Sequence, residues 1–217
     1  MRRLMLVAAS GLAREVLQVV RMAGTFGRVR VVDDDPARWG HELDGEPIVG
    51  GLDLVREYDD HSLVVCAGQG RARRAIVARL VDLGVDQGRF VSVVHPRVLV
   101  PVGCTVGAGS ILLEGVVMTT HVTVGAHVVV MPHATLTHDD VLADYATVCA
   151  GVTLGGNVHV GEAAYLGMGS SVRERLTVGR DATLGMGAVL LQSLPSSETW
   201  VGVPAAPVTR LADVVEP

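Results

Sequence analysis

A histidine beside a carboxylate is the smallest apparatus that moves a proton near neutral pH. The imidazole takes the proton, and the acid orients the ring and stabilises its charged form. The chain carries such a pair at His138 and Asp139, within Leu136-Thr137-His138-Asp139-Asp140. Taken alone, a His-Asp pair in a turn reads more readily as a solvated corner. A second group is Ser10-Gly11, which closes the apolar run 4–9; Asp33 follows Gly11 by 22 residues, the range at which an acid reaches a ribose hydroxyl. A third is Leu166-Gly167-Met168-Gly169, repeated as Leu184-Gly185-Met186-Gly187. Cys66, Cys104 and Cys149 have neither metal nor disulfide spacing, which fits a reducing cytosol.

The elements that must position these groups fall into two halves. Residues 1–97 carry 14 Arg and 13 acids, whereas no Lys or Arg lies between Arg97 and Arg173. The break marks a domain boundary near His95-Pro96, giving domains over 1–95 and 96–192 and a tail over 193–217. In the second half every sixth residue from Val100 to Leu190 is aliphatic, sixteen in succession. The residue two places earlier is small or β-branched, with Asp140 as an exception that an ionised carboxylate makes costly. Asp140 must therefore turn toward His138 or hydrogen-bond to local backbone. A period of six is neither helix nor ordinary strand. It fits a parallel β-helix with three flat sides, in which residues 18 apart stack at about 4.8 Å.

That geometry sorts the candidates. His138 lies two residues past an interior aliphatic and points outward, stacked between Thr120 and Gly156. His121, His127 and His133 are six apart and so lie on different sides of the coil, which leaves no metal site. His121 stacks on Asp139 and could join the site. The two Leu-Gly-Met-Gly copies stack into a smooth strip that would admit a long, thin ligand arm along the coil axis.

The first half alternates a strand over 4–9, a helix over 12–22, a strand over 29–32, a strand over 62–67 and a helix over 71–83. Strand, glycine turn, helix and strand make half of a nucleotide-binding, Rossmann-like α/β fold. Its fingerprint is weak, because only Gly11 of a G-x-G-x-x-G is present.

Over nearly its whole length the chain resembles hexapeptide-repeat acyltransferases with left-handed β-helices. Within them it is similar to the family of sialic-acid O-acetyltransferases (NeuD) and nucleotide-amino-sugar N-acetyltransferases (PglD). The resemblance rests on Ala8-Ala9-Ser10-Gly11-Leu12-Ala13-Arg14-Glu15-Val16, Val32-Asp33-Asp34-Asp35-Pro36, Val94-His95-Pro96, the His138 segment and Val201-Gly202-Val203-Pro204-Ala205. It implies His138 as general base, supported by Asp139, and the Gly156 N–H as oxyanion donor. It implies acetyl-CoA as cosubstrate, with its arm along Gly156, Gly167, Gly169, Gly185 and Gly187. Ser10, Gly11, Asp33 and Asp34 would hold a nucleotide-sugar, and a homotrimer would carry active sites between subunits. The chain departs from the family at Leu12, Met131 and Thr147, where it often has His, Asn and a second His; Met131, Thr147 and His121 are thus candidate substrate-pocket residues.

The implied reaction is N-acetylation of a nucleotide-linked amino-sugar. The rivals are O-acetylation of a sialic-acid-like sugar and a non-catalytic nucleotide-sugar sensor or scaffold. The composition is 49% hydrophobic and the net charge −5. That balance argues against nucleic acid as a partner. No apolar stretch reaches the roughly 20 residues of a membrane span, so membrane insertion is not expected and the cytoplasm is the expected compartment.

Overall fold

The computed structural model describes residues 2–208. The end of the expected tail, 209–217, lies outside the described residues. The first half is a five-stranded sheet in the order β3-β4-β2-β1-β5, with β1 at Arg2–Val7, β2 at Phe26–Val32, β3 at Glu42–Leu43, β4 at Glu46–Gly50 and β5 at His61–Val65. All pairings are parallel except the β3–β4 hairpin. Helix α1 (Gly11–Ala23) is capped by the Ser10 hydroxyl, which accepts from the Ala13 N–H, and stops at Gly24 in the left-handed region. It buries Leu12, Val16, Leu17 and Val20 on one face. Helix α2 (Gly70–Asp82) follows β5. The β3–β4 hairpin was not foreseen; its charged, proline-bearing sequence lacks the apolar run that marked the central strands.

From Thr105 onward the chain winds as a three-sided parallel β-helix. Each side is a stack of two-residue strands paired 18 residues apart, as in Thr123 on Thr105 and Val141 on Thr123. The architecture fits a left-handed β-helix. Its interior is a column of buried aliphatics from Leu112 through Leu136, Leu154 and Val172 to Leu190. Each such side chain contributes roughly 1.5–3 kcal/mol of burial. Val100, first of the sixteen periodic aliphatics, is an exception: it precedes the first coil strand and is 37% exposed. The sheets also run past both ends of 96–192. Val93–Val94 pairs with Ile111–Leu112, and Thr199–Val201 with Thr183–Leu184. Trp200 thereby closes the column, buried at its end.

Each corner is turned by a residue with positive φ, and these include His121, His127, His133, Asp139, Tyr145, Asn157 and Asp181. Asn, Asp and His tolerate that region better than most side chains. The six-residue spacing of the histidines is therefore a turn requirement. Two faces of the coil present threonines outward, such as Thr123 and Thr135. The third presents Ile111 and Val129, because the α/β half packs on it and shares one core with them. Among the described residues no helix is long and apolar enough to cross a membrane.

Candidate active site

His138 sits on the corner between the Thr135–Leu136 and Val141–Leu142 strands. It is 62% exposed at the side chain. Its carbonyl accepts from the Asn157 N–H at 2.8 Å, and the Asp139 N–H donates to the Thr120 carbonyl at 3.1 Å. The turn is thus pinned to the coils above and below. Nδ1 lies 2.9 Å from Asp139 Oδ2. An ionised carboxylate only accepts, so Nδ1 carries the proton and Nε2 is left as the free basic nitrogen. The Nε2 end of the ring lies against Gly156, where a Cβ would overlap it. Among the described residues the Gly156 N–H finds no acceptor, so an exposed imidazole lies over a buried turn glycine whose amide is unbonded.

Asp140 is fully buried and turns away from His138. Oδ2 accepts from the Thr137 N–H at 2.7 Å and Oδ1 from the Val158 N–H at 2.9 Å. Burial pushes its carboxyl up to about 6, against the opposing pull of those two N–H groups. Of the two readings open from sequence, the backbone one is realised.

The glycine strip occupies the neighbouring corner, across the face that carries Thr153 and Ser171. Its members differ. Gly167 and Gly185 are required internally, since a Cβ would meet Met186 N at 2.5 Å and Val201 Cγ1 at 2.6 Å. Gly169 and Gly187 take φ +66° and face open space. Met168 and Met186 stand exposed beside them.

The structure does not bring the other candidates to His138 within the chain. His121 is an exposed corner residue whose ring lies against Gly103. Met131 is packed between the coil interior and the α/β core. Thr147 is buried beneath α2, where its hydroxyl accepts from Arg73 and donates to the Gly68 carbonyl. Among the described residues no three His, Cys, Asp or Glu side chains converge as a metal site.

In the α/β half, Ser10 and Gly11 line a cleft of about 380 Å³ at the start of α1, with Arg14, Arg38 and His41 around it. Ala8 takes φ +79°, the conformation a glycine would adopt freely, and the Ser10 N–H closes onto its carbonyl. The turn thus keeps its shape without its glycine. Asp33 is committed to that turn: Oδ2 accepts from the Ala9 N–H and Oδ1 from the Asp35 N–H, with Arg38 at 3.5 Å. Asp34 faces the other way, toward Arg79 and the Leu52 N–H. The two acids therefore do not form one carboxylate pair.

Sequence reasoning missed Arg73. It is fully buried on α2 and donates to the carbonyls of Ala67, Gly68, His127, Tyr145 and Ala146 and to the Thr147 hydroxyl. Burial pulls its guanidinium down to about 10. Arg73 lies between Arg71 and Arg74, which instead pair with Asp181 and Glu162 nearer the surface. Its only sequence signal is Gly70, three residues earlier, whose Cβ would strike the Tyr145 carbonyl.

A three-sided hexad coil carrying an α/β half is the architecture of hexapeptide-repeat acyltransferases. A scan against models of protein families matched none, and a search of curated proteins found no relative. Solved structures are similar over nearly the whole chain. The acetyltransferase domain of PglB from Neisseria gonorrhoeae superposes with a TM-score of 0.88 at 28% identity, covering 96% of this chain and 100% of that one. PerB from Caulobacter crescentus, in complex with CoA and GDP-perosamine, gives 0.85 at 30% identity, covering 96% and 97%. WeeI from Acinetobacter baumannii gives 0.83 at 25% identity, covering 95% and 100%. The chain belongs to the hexapeptide-repeat sugar N-acetyltransferases.

Proposed function

We infer that this enzyme transfers acetyl from acetyl-CoA to the amine of a nucleotide-linked amino-sugar. The observation that carries the reading is the His138 ring lying against Gly156, with Nδ1 held by Asp139. The PglB domain binds acetyl coenzyme A and PerB binds CoA with GDP-perosamine, which supports the two substrate classes.

His138 Nε2 takes a proton from the sugar amine as its nitrogen bonds to the thioester carbonyl carbon. The Gly156 N–H holds the oxyanion that forms. His138 then returns the proton to the departing sulfur as the C–S bond breaks, leaving an amide and free CoA. Asp139 stabilises the imidazolium between those events. The open flank of Gly169 and Gly187 accepts the pantetheine arm. That flank and His138 lie on opposite edges of one face, so the arm on one copy meets His138 of another where coils pack side by side, which is the basis for a homotrimer with sites between subunits. The Rossmann-like half holds the nucleotide in the cleft at Ser10 and Gly11. Arg14 and Arg38 face the diphosphate there, while Asp33 holds the turn and Asp34, turned toward Arg79, lies outside the cleft.

The test mixes the protein with acetyl-CoA and UDP-, GDP- and dTDP-linked amino-sugars and follows free thiol. Release with one amino-sugar and none with its hydroxyl counterpart is expected. Release with the hydroxyl sugar instead would make the enzyme an O-acetyltransferase. Nucleotide-sugar binding with no turnover would make it a sensor.

A further inference from the structure

Asp140 interrupts the coil's own hydrogen-bond rule at the corner that carries His138. In the regular coil the N–H that follows each interior aliphatic donates to the aliphatic carbonyl one coil on. Thr119 bonds to Leu136, Gly125 to Leu142, Ala143 to Val160 and Gly155 to Val172, at 2.8–3.1 Å. Thr137 should bond to Leu154 in the same way. Its N–H goes to Asp140 Oδ2 instead, and the Leu154 carbonyl receives the Thr137 hydroxyl at 3.0 Å. Strand pairing lapses at the same point. Thr135 pairs with Thr153 without a following Leu136–Leu154 pair, whereas the flanking strands on that face keep both pairs.

The other oxygen of Asp140 does an ordinary task. It accepts the Val158 N–H, as Ser110 accepts the Val128 N–H at 2.9 Å and Cys104 Sγ the Val122 N–H at 3.4 Å. A serine or cysteine thus suffices for the stacking bond, and neither Ser110 nor Cys104 draws in the preceding turn. Only the second carboxylate oxygen lets Asp140 hold the residue before His138 and the strand start just beyond Gly156 at once.

We propose that Asp140 is a positioning residue: it pulls the His138 turn out of the regular ladder and fixes the imidazole over Gly156. The proposal rests on the reading of His138 as the base. It assigns a reason for a buried carboxylate in a column of aliphatic, Ser and Cys side chains, where a hydrophobic residue would otherwise be preferred.

The experiment is a double-variant cycle on the full chain, using Asp140→Ser, His138→Ala and the pair. Asp140→Ser keeps the Val158 bond and frees Thr137 to rejoin Leu154, so the coil stays folded. The expected result is a kcat at least tenfold lower, with KM for acetyl-CoA and amino-sugar within about twofold. In the His138→Ala background the same change should have no further effect, because Asp140 acts only through that ring. Should Asp140→Ser not fold, Asp140→Asn takes its place in the cycle with the same expectations. A dead His138→Ala beside a fully active Asp140 variant overturns the positioning role alone, as do losses that multiply in the double variant. A fully active His138→Ala removes the base and the proposal with it.

Discussion

His138 covers Gly156 one coil away, and the absence of a side chain at 156 is what lets the imidazole lie there. Asp139 holds Nδ1 at 2.9 Å, which leaves Nε2 as the basic nitrogen beside a free turn amide. The contact between the imidazole and the turn at Gly156 is thus set by stacking between coils, since 138 and 156 are a coil repeat apart.

Gly156→Ala is the direct probe of that contact. Gly156 does not have a positive φ, so alanine fits the backbone, but its Cβ must displace the His138 ring. The ring is exposed and can swing out, so stability should change by less than about 1 kcal/mol. The acetyl-transfer rate should fall at least tenfold, measured by thiol release, with little change in urea midpoint. An unchanged rate would mean that His138 need not rest on Gly156.

The four strip glycines should separate into two classes. Gly169→Asn keeps a residue that tolerates positive φ and meets nothing within the chain, so the fold should hold. KM for acetyl-CoA should rise about tenfold if the arm passes there. Gly167→Ala must push the backbone at Met186 and should cost about 1–3 kcal/mol instead. Equal behaviour of the two variants in thermal melts and acetyl-CoA titrations would refute the division.

Arg73 joins the two halves through five carbonyls and one hydroxyl, with no carboxylate among the described residues opposite its charge. Arg73→Met leaves those buried acceptors without a donor and should destabilise by about 3–5 kcal/mol. Arg73→Lys should fall between, because an ammonium offers three donors where the guanidinium offers five. Urea unfolding decides it, and a loss below about 1 kcal/mol for the Met variant would contradict this account.

Two buried groups give the enzyme opposing pH dependences. The Asp140 carboxyl is raised to about 6 by burial, so its stability contribution is intact below its unfolded value near 3.8 and is lost as pH rises through about 6. The loss amounts to about 3 kcal/mol. His127, buried against Tyr145 and Phe90, is lowered to about 4 by burial and by the Arg73 charge. It stays neutral in the fold, so stability is lost as pH falls from 6.5 through about 4, by a similar amount. The slopes cancel between pH 4 and 6. Asp140→Asn removes one of them, so that variant should lose stability on acidification from pH 6 to pH 4.5, where the parent stays level. A flat profile for the variant in urea titrations would show that His127 is not held neutral.

The coil was legible in the sequence because a narrow interior accepts one aliphatic per side. Steric exclusion therefore writes a strict period of six into residues 106–190. The pairing of His138 with Gly156 was legible for the same reason, since residues 18 apart must stack; the roles proposed for them came from the family resemblance and not from the period. The period could not reveal that His121, His127 and His133 recur because corners need positive φ, a constraint of the backbone and not of chemistry. Nor could it place Asp33 and Asp34, adjacent in sequence yet turned to opposite sides of a strand end, or foresee that Asp33 would be used by the Ala9 and Asp35 amides. Tertiary structure alone decided Arg73, Thr147 and Asp140. Each makes its decisive bonds where the two halves or two coils meet, and a buried polar group is recognisable only by the partners that surround it. Local spacing fixes what repeats along the chain, whereas hydrogen-bond satisfaction at a junction depends on segments that the sequence holds apart.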